Sequence, residues 1–319
     1  LKNKKINRLK YYKKIILLLS KIQKIKTKKI KTFNNTTYTV PKYSHYKIFK
    51  ESKLFLDWYI PKVIKKKNQK VKKNKYNYDE RDKNNPNISI ETCVERFAQR
   101  DATYFYQILP PSQSWRLFKE FQNDCLYLDI ETNGGDYYDG LITTIATYDG
   151  NSIRYYINGQ NLDEFINDVS NYKILITYNG KSFDIPFIEN YFNIELNHAQ
   201  IDLRYTLKNL GYKGGLKSCE KQLGLSRSGL EGVDGYFAIH LWNDYYYNTN
   251  QKALETLLAY NIEDSINLEK LMRISFNMNV DNLEHKEFKK VPCCQTVENP
   301  FQPHFETISR IQSKLGLRH

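Results

Sequence analysis

The sequence predicts an α/β domain built on a mixed five-stranded sheet with flanking helices, preceded by a basic tail. Three successive segments have strand character, and strand and helix patterns alternate after them. Hydrophobic residues make up 40% of the chain, which is enough for a packed core. The length of 319 residues allows one sizeable domain with appendages.

The first predicted strand is 125–131, where Leu126, Leu128 and Ile130 alternate onto one face. The other predicted strands are 141–148, 153–157, 173–178 and 199–202, and we expect the first three strands to pair antiparallel. Helices are predicted at 163–169, 182–192, 203–209, 215–223, 234–246 and 251–275. These elements divide the chain into a Lys/Asn-rich tail and linker at 1–87, a helical extension at 88–122, the α/β domain at 123–276 and a C-terminal extension at 277–319.

The positive charge is concentrated in the tail. Residues 1–75 hold 25 of the 49 Lys and Arg residues and only two acids, Glu51 and Asp57, so their net charge is 25 − 2 = +23. Residues 76–319 carry 24 − 33 = −9. The net charge therefore describes the tail and not an active site. Such a composition predicts disorder, with salt-sensitive binding to nucleic acid that is independent of sequence.

The five cysteines are odd in number and have no metal-ligand spacing, so they predict neither a disulfide framework nor a zinc site. A reducing cytoplasm is the expected compartment. No apolar run approaches the ~20 residues that span a bilayer, so no membrane partner is expected. The run at 15–19 is also too short for the apolar core of a signal peptide.

Two acidic residues on one strand suggest a metal site. Asp129 and Glu131 leave the same face of strand 125–131 because they are two positions apart. Neighbouring carboxylates repel, and a cation between them relieves that repulsion. Mg²⁺ and Mn²⁺ prefer such oxygen ligands. Taken alone, the pair fits two incidental acids on a solvent-facing strand equally well.

Two further acids stand where a ligand site is expected. Asp184 opens a helix after the buried strand 173–178, near a strand's carboxyl end, where α/β proteins bind ligands. Tyr260 and Asp264 lie four apart on one face of helix 251–275. In isolation, Asp184 is better explained as a first-turn acid favoured by the helix dipole. The Tyr260–Asp264 pair is also explained by a hydrogen bond without chemistry.

In this order, the acids and the tyrosine form the DEDD exonuclease pattern in its tyrosine version. The chain resembles the DnaQ-like, ribonuclease-H-like superfamily, and within it the YprB-like group of exonucleases. The resemblance runs from about Arg116 to about Met272. It is carried by YLDIET (127–132), ITYNGKSFDIPF (176–187), GGLKSCEKQLGL (214–225) and ETLLAYNIEDSINLEKL (255–271).

This resemblance implies a 3′→5′ exonuclease with a ribonuclease-H-like fold. Two divalent cations, Mg²⁺ or Mn²⁺, would be held by Asp129, Glu131, Asp184 and Asp264. Asp129 would contact both cations, and Tyr260 would orient the attacking water. The implied partner is nucleic acid, the single-stranded 3′ end of DNA or RNA, and the implied product is a nucleoside 5′-monophosphate.

Three further residues, Thr132, Asn179 and Lys217, are expected to contact the substrate. Lys217 follows two glycines at a helix start, where backbone N–H groups bind phosphate in other proteins. An exposed lysine after a turn is an equal alternative. Lys181 and Arg227 are weaker candidates for the same role.

Other polar and aromatic residues are expected to be structural. Asp202 is predicted to cap the helix that follows it rather than to act in the site. The aromatic residues of the helix at 234–246 are predicted to pack rather than to form a base-stacking platform. They are Tyr236, Phe237, Trp242 and Tyr245–Tyr247.

Two other functions remain open at this stage. One is an endonuclease or junction resolvase on the same fold, since a fold does not fix an activity. The other is a non-catalytic nucleic-acid-binding module that uses the basic tail. The Tyr-x-x-x-Asp pattern favours an exonuclease over the first, and the presence of all four acids disfavours the second.

Overall fold

The structure is a computed structural model that describes residues 29–31, 37–39, 90–135, 140–225, 227, 229–283, 289–295 and 297–316. The chain divides into two units, Leu1–Ile90 and Glu91–His319. In the first unit, two short strands at Lys29–Lys31 and Thr37–Thr39 pair antiparallel. The rest of the predicted tail lies outside the described residues, and the predicted domain boundaries at 87, 122 and 276 stay predictions.

Five strands form the sheet of the second unit. They are β1 (Cys125–Thr132), β2 (Ile142–Tyr148), β3 (Ile153–Ile157), β4 (Ile174–Thr177) and β5 (Ala199–Asp202). Their order across the sheet is β3-β2-β1-β4-β5, so β1 is central. β1, β2 and β3 pair antiparallel, whereas β4 runs parallel to β1 and β5 parallel to β4. The predicted mixed five-stranded sheet is confirmed.

The described residues contain ten α-helices, the first of which begins at Ile90, the last residue of the first unit. They are α1 (Ile90–Ala98), α2 (Ala102–Ile108), α3 (Leu117–Phe121), α4 (Glu164–Val169), α5 (Asp184–Phe192), α6 (Leu203–Asn209), α7 (Leu216–Gln222), α8 (Gly235–Asn248), α9 (Gln251–Asp281) and α10 (Phe305–Leu315). Two 3₁₀ segments, Pro111–Arg116 and Gln122–Asp124, flank α3. None of the described helices is both long and apolar enough to cross a lipid bilayer.

Both faces of β1 are covered, and this determines where its acids lie. Leu126, Leu128 and Ile130 belong to an apolar core that includes Phe165 of α4 and Phe187 of α5. The long helix α9 packs on the opposite face of β1 and β2. The side chains of that second face therefore meet α9 and not open solvent.

Helix α9 is longer than its predicted span of 251–275. It continues to Asp281 because Phe276 and Val280 extend its buried side. The Phe276 ring packs edge-on against Trp115 and Phe118 in the N-terminal helical extension. The helix thus joins the sheet to the residues that precede it in the chain.

The predicted C-terminal extension contains a helix, α10, that packs through Ile308 and Ile311. The segment before α10 is held by hydrogen bonds to α9: Asn299 donates to the Ala259 carbonyl, and the His304 backbone N–H donates to the hydroxyl of Thr256. The extension is therefore part of the same packed body.

Candidate metal centre and active site

Three carboxylates from two elements converge between the sheet and α9. Asp129 and Glu131 leave β1 on the face that α9 covers, and Asp264 reaches them from α9. One ligand oxygen from each lies within 4.8 Å of the other two. Glu131 and Asp264 are buried, and Asp129 is partly buried as a residue. Hard oxygen donors at this separation match the ligand preference of Mg²⁺ and Mn²⁺.

The fourth acid, Asp184, is buried at the first position of α5. Its Oδ1 accepts a hydrogen bond of 3.3 Å from the backbone N–H of Ile130, the residue between Asp129 and Glu131. Burial, followed by the charges of Asp202 and Asp264, raises the pKa of Asp184 to about 7. The structure therefore brings Asp184 to the same part of β1 as the other acids.

The loop before α5 has a conformation that requires a glycine. A side chain at Gly180 would place its Cβ 2.2 Å from the Thr177 hydroxyl oxygen, which is closer than real contacts allow. Asp202 holds the loop by accepting from the backbone N–H groups of Asn179 at 2.9 Å and Lys181 at 3.2 Å. It also accepts from the N–H of Arg204 at 3.0 Å and so caps α6. The capping prediction for Asp202 is thus confirmed, and its side chain also fixes the turn that delivers Asp184.

The buried carboxylates raise one another's pKa values. Burial raises the pKa of Asp129 and of Glu131 well above the ordinary range, and the nearby charges of Asp264 and Asp184 raise both further. Burial also raises the pKa of Asp264. Buried like charges of this kind are stabilised by a bound cation. The residues present therefore fit one or more divalent metal ions.

Asn261 joins β1, β2 and α9 at the site, a contact that the sequence did not reveal. Its amide donates to Asp129 Oδ2 at 2.7 Å, and its carbonyl accepts from the Thr144 hydroxyl at 2.9 Å. It is fully buried, three residues before Asp264 on α9. That spacing places it on the Asp264 side of the helix, the one signal by which it was recognisable.

Tyr260 lies beside these acids, four residues before Asp264 on α9 as predicted. Burial, followed by the charges of Asp264, Glu131 and Asp129, raises its pKa far above the usual value of a phenol. The hydroxyl is therefore protonated at neutral pH and is available as a hydrogen-bond donor near the acids.

Two cationic side chains lie beside Tyr260 and the acids: Lys217 of α7 and Arg227, which follows α7 in the chain. The Lys217 Nζ lies 4.4 Å from the centre of the Tyr260 ring and is buried with no hydrogen-bond partner among the described residues. The guanidinium of Arg227 binds Glu220 and forms an ion pair with Asp264. Lys217 is therefore not an exposed surface lysine, and Arg227, which the sequence ranked low, contacts one of the four acids.

Thr132 and Asn179, the other predicted substrate contacts, both take part in loop structure. The Thr132 hydroxyl accepts from the N–H of Gly134 at 3.3 Å at the end of β1. The side-chain carbonyl of Asn179 accepts from the Arg204 guanidinium. Lys181 lies 5.0 Å from the centre of the Tyr106 ring. A substrate role for these residues stays a prediction.

The aromatic residues of α8 differ in burial. Phe237 and Trp242 are buried, as predicted, and the Tyr245 hydroxyl accepts a hydrogen bond from the Gln160 amide at 3.0 Å. The packing prediction is wrong for Tyr236, Tyr246 and Tyr247, which are exposed. The helix turns these three rings away from the core because Phe237, Ala238 and Leu241 form its buried side.

Comparison with known proteins finds a similarity at the level of a superfamily. Residues 126–275 match the family RNase_H_2 of the RNase_H superfamily, a span that includes the four acids, Tyr260 and both cations. The domain thus has an RNase H-like nuclease fold with a buried acidic cluster. No curated protein matches the chain.

Among solved structures, the family B DNA polymerase from the hyperthermophilic archaeon Pyrobaculum calidifontis is similar to part of the chain. The two share 14% sequence identity with a TM-score of 0.36. The match covers 48% of this chain and 25% of the polymerase chain.

Proposed function

We propose that the protein is a metal-dependent 3′→5′ exonuclease that hydrolyses phosphodiester bonds of nucleic acid and releases nucleoside 5′-monophosphates. Within its superfamily we place it in the YprB-like group of exonucleases, because of the motifs around the four acids. The observation that carries the proposal is the convergence of Asp129, Glu131 and Asp264, with Asp184 bound to the same strand and Tyr260 beside them.

The residues that would hold two Mg²⁺ or Mn²⁺ ions are Asp129, Glu131, Asp184 and Asp264. When bound, a metal pair of this kind stabilises charge on the attacking and leaving oxygens of a phosphodiester. The buried position of the acids supports this assignment, since in metal-free protein their charges repel one another.

The chain's own residues have separate tasks in this proposal. Tyr260 donates its hydroxyl hydrogen bond to the attacking water and orients it towards phosphorus. Asn261 keeps Asp129 in place through its amide. Lys217 offers its unpaired ammonium to the substrate phosphate. Thr132 and Asn179 are proposed to contact the sugar or base at the single-stranded 3′ end.

The direct test is incubation of the protein with 5′-labelled single-stranded DNA and RNA, in Mn²⁺ or in EDTA. We expect the labelled strand to shorten stepwise from its 3′ end, in Mn²⁺ only. A closed circular single strand offers no end and should survive the same incubation. Cutting of the circle would instead show an endonuclease, and binding without Mn²⁺-dependent shortening would show a non-catalytic module.

Three variants test the assigned roles. Asp129→Asn should abolish Mn²⁺ binding and nearly all turnover, because it removes a metal ligand. Tyr260→Phe keeps the ring but deletes one hydrogen bond, so turnover should fall by about 10²–10⁴-fold while Mn²⁺ affinity is unchanged. Glu263→Gln is the matched control on α9, since Glu263 pairs with Lys270 at 3.8 Å and not with the site. Wild-type turnover in Tyr260→Phe would remove Tyr260 from the mechanism.

A further inference from the structure

Arg227 serves two carboxylates at once. Its Nε and Nη2 each lie 2.6 Å from an oxygen of Glu220, the two-bond geometry in which arginine binds carboxylates most firmly. Its remaining nitrogen, Nη1, forms an ion pair with Asp264 Oδ1. The side chains of Glu220 and Arg227 are only 2% and 8% exposed, so the pair lies inside the protein.

Only one of the two contacts of this guanidinium is compatible with a metal ion bound to Asp264. Glu220 lies on α7, and Arg227 is its only ion-pair partner in the described residues. Asp264, in contrast, belongs to the three carboxylates whose oxygens suit a divalent cation. A metal ion on Asp264 and the Nη1 group at ion-pair distance from the same carboxyl would repel each other. The bond to Glu220 does not conflict with a bound metal ion, whereas the pairing with Asp264 does.

The surroundings of Nη1 suit a phosphate. Both Lys217 and Arg227 lie over the Tyr260 ring, with Nζ at 4.4 Å and the guanidinium carbon at 5.9 Å from its centre. The Lys217 ammonium is buried without a hydrogen-bond partner among the described residues. Of these two cations, Lys217 is unpaired and Arg227 has one nitrogen that pairs with Asp264 alone, so both would offer positive charge to an anionic ligand once a metal ion occupies Asp264.

We propose that Arg227 is the resident cation of the metal-free site and that metal binding at Asp264 frees its Nη1 for the phosphate of the substrate. Glu220 is a positioning residue, because it anchors the guanidinium in both states. The binding of substrate phosphate by Arg227 rests on the proposed function, whereas the exchange between Arg227 and a metal ion on Asp264 does not. The competing account is a purely structural ion pair that ties α7 to α9.

The test measures Mn²⁺ affinity of metal-free protein by calorimetry in a variant that changes no net charge. The double variant Glu220→Gln/Arg227→Gln removes one positive and one negative charge, so the net charge of the protein is unchanged. Loss of the competing guanidinium should raise Mn²⁺ affinity by roughly tenfold, the equivalent of about one charge-assisted hydrogen bond. Unchanged or weaker Mn²⁺ binding in the folded double variant would overturn the exchange.

A second charge-conserving variant, Arg227→Lys, covers the case in which the double variant does not fold. Lysine lacks the guanidinium fork, so it cannot hold Glu220 and reach Asp264 together. Mn²⁺ affinity should again rise several-fold, and no rise would count against the exchange. Arg204→Lys is the matched control, because Arg204 pairs with Asn179 and not with an acid of the site.

Phosphate binding by Arg227 is tested with thymidine 5′-monophosphate as the probe, at saturating Mn²⁺. Arg227→Lys should weaken nucleotide binding by about tenfold or more, because one donor to the phosphate is lost. Equal nucleotide affinity in wild type and variant would remove Arg227 from phosphate binding. If the protein has no exonuclease activity but the Mn²⁺ affinities change as described, the proposed function fails and the exchange stands.

Discussion

At the scale of single residues, Asn261 shows what the site needs beyond its acids. The side chain spans the gap between α9 and two strands, with one hydrogen bond to Asp129 and one from Thr144. Its partner Asp129 has a raised pKa, and the bond from Asn261 is the influence that lowers it. The amide therefore favours the ionised carboxylate, the form that binds metal.

Replacement of Asn261 by leucine is expected to weaken both the fold and the metal site. The change keeps the approximate volume but leaves Asp129 and Thr144 without their buried partner. We expect a loss of about 1–3 kcal/mol in the free energy of unfolding. Mn²⁺ affinity should fall about 10–100-fold, the usual effect of losing a residue that orients a metal ligand. Urea unfolding and calorimetry measure the two effects.

A matched asparagine on the same helix provides the control. Asn279 donates to the carbonyl of Ser275 within α9, away from the acids. Asn279→Leu should leave Mn²⁺ affinity unchanged. If Asn261→Leu binds Mn²⁺ as tightly as the wild type, Asn261 is a packing residue only.

The sequence identified the acids but not the residues that support them, for a physical reason. Asp129 and Glu131, or Tyr260 and Asp264, share a face because of the period of their own element, which is readable from spacing. The Asn261–Asp129 contact joins residues 132 positions apart and depends on how α9 lies on β1. The Arg227–Asp264 pair likewise depends on a path between α7 and α8 that no periodicity specifies.

At the scale of elements, periodicity predicted the sheet well and helix ends less well. Strands β3 and β5 begin and end where predicted, because a turn precedes β3 and the helix α6 follows β5 directly. Helix α9 continues beyond its predicted end because Phe276 packs against Trp115, a tertiary contact that the local periodicity does not predict. No helix is predicted at α10, since its buried residues include only two large apolar side chains; these residues are Thr307, Ile308, Ile311 and Gln312.

The attachment of α10 can be tested at Asp244. This residue of α8 is buried and binds Arg310 of α10 together with the amides of Asn248 and Asn250. Arg310→Ala leaves the carboxylate with its two amides but no cation. Because Arg310 is itself more than a third exposed, we expect a modest loss of about 1 kcal/mol in unfolding free energy.

Two comparisons decide whether that loss belongs to the ion pair. Lys314→Ala, at an exposed position in the last turn of α10, should change stability by less than about 0.5 kcal/mol. Hydrogen bonds and the Arg310 charge lower the pKa of Asp244, so the stabilisation from this group is present above its unfolded pKa and is lost as pH falls through the lower folded value. An Arg310→Ala protein as stable as the wild type at neutral pH would show that the pair contributes nothing to docking.

At the scale of the whole molecule, the acidic cluster makes stability depend on pH and metal together. Between the unfolded pKa of about 4 and the raised folded values, the native state holds more protons on Asp129, Glu131 and Asp184 than the unfolded chain does. The free energy of unfolding must then fall as pH rises through that interval. For Asp184 the interval ends at about 7.

Metal-free protein should therefore become less stable as pH rises from 6.5 to about 8, roughly one unit above the raised pKa of Asp184, the opposite of ordinary acid denaturation. The window starts at 6.5 because burial lowers the pKa of His198, which raises stability with pH only below its unfolded value. Mn²⁺ binds the deprotonated carboxylates, so its stabilising effect should be largest at the alkaline end of the window. Melting temperatures in EDTA and in Mn²⁺, measured across the window, give both slopes. Asp184→Asn should flatten the part of the EDTA slope near pH 7, and a melting temperature in EDTA that rises with pH in the wild type would contradict the raised pKa values of all three acids.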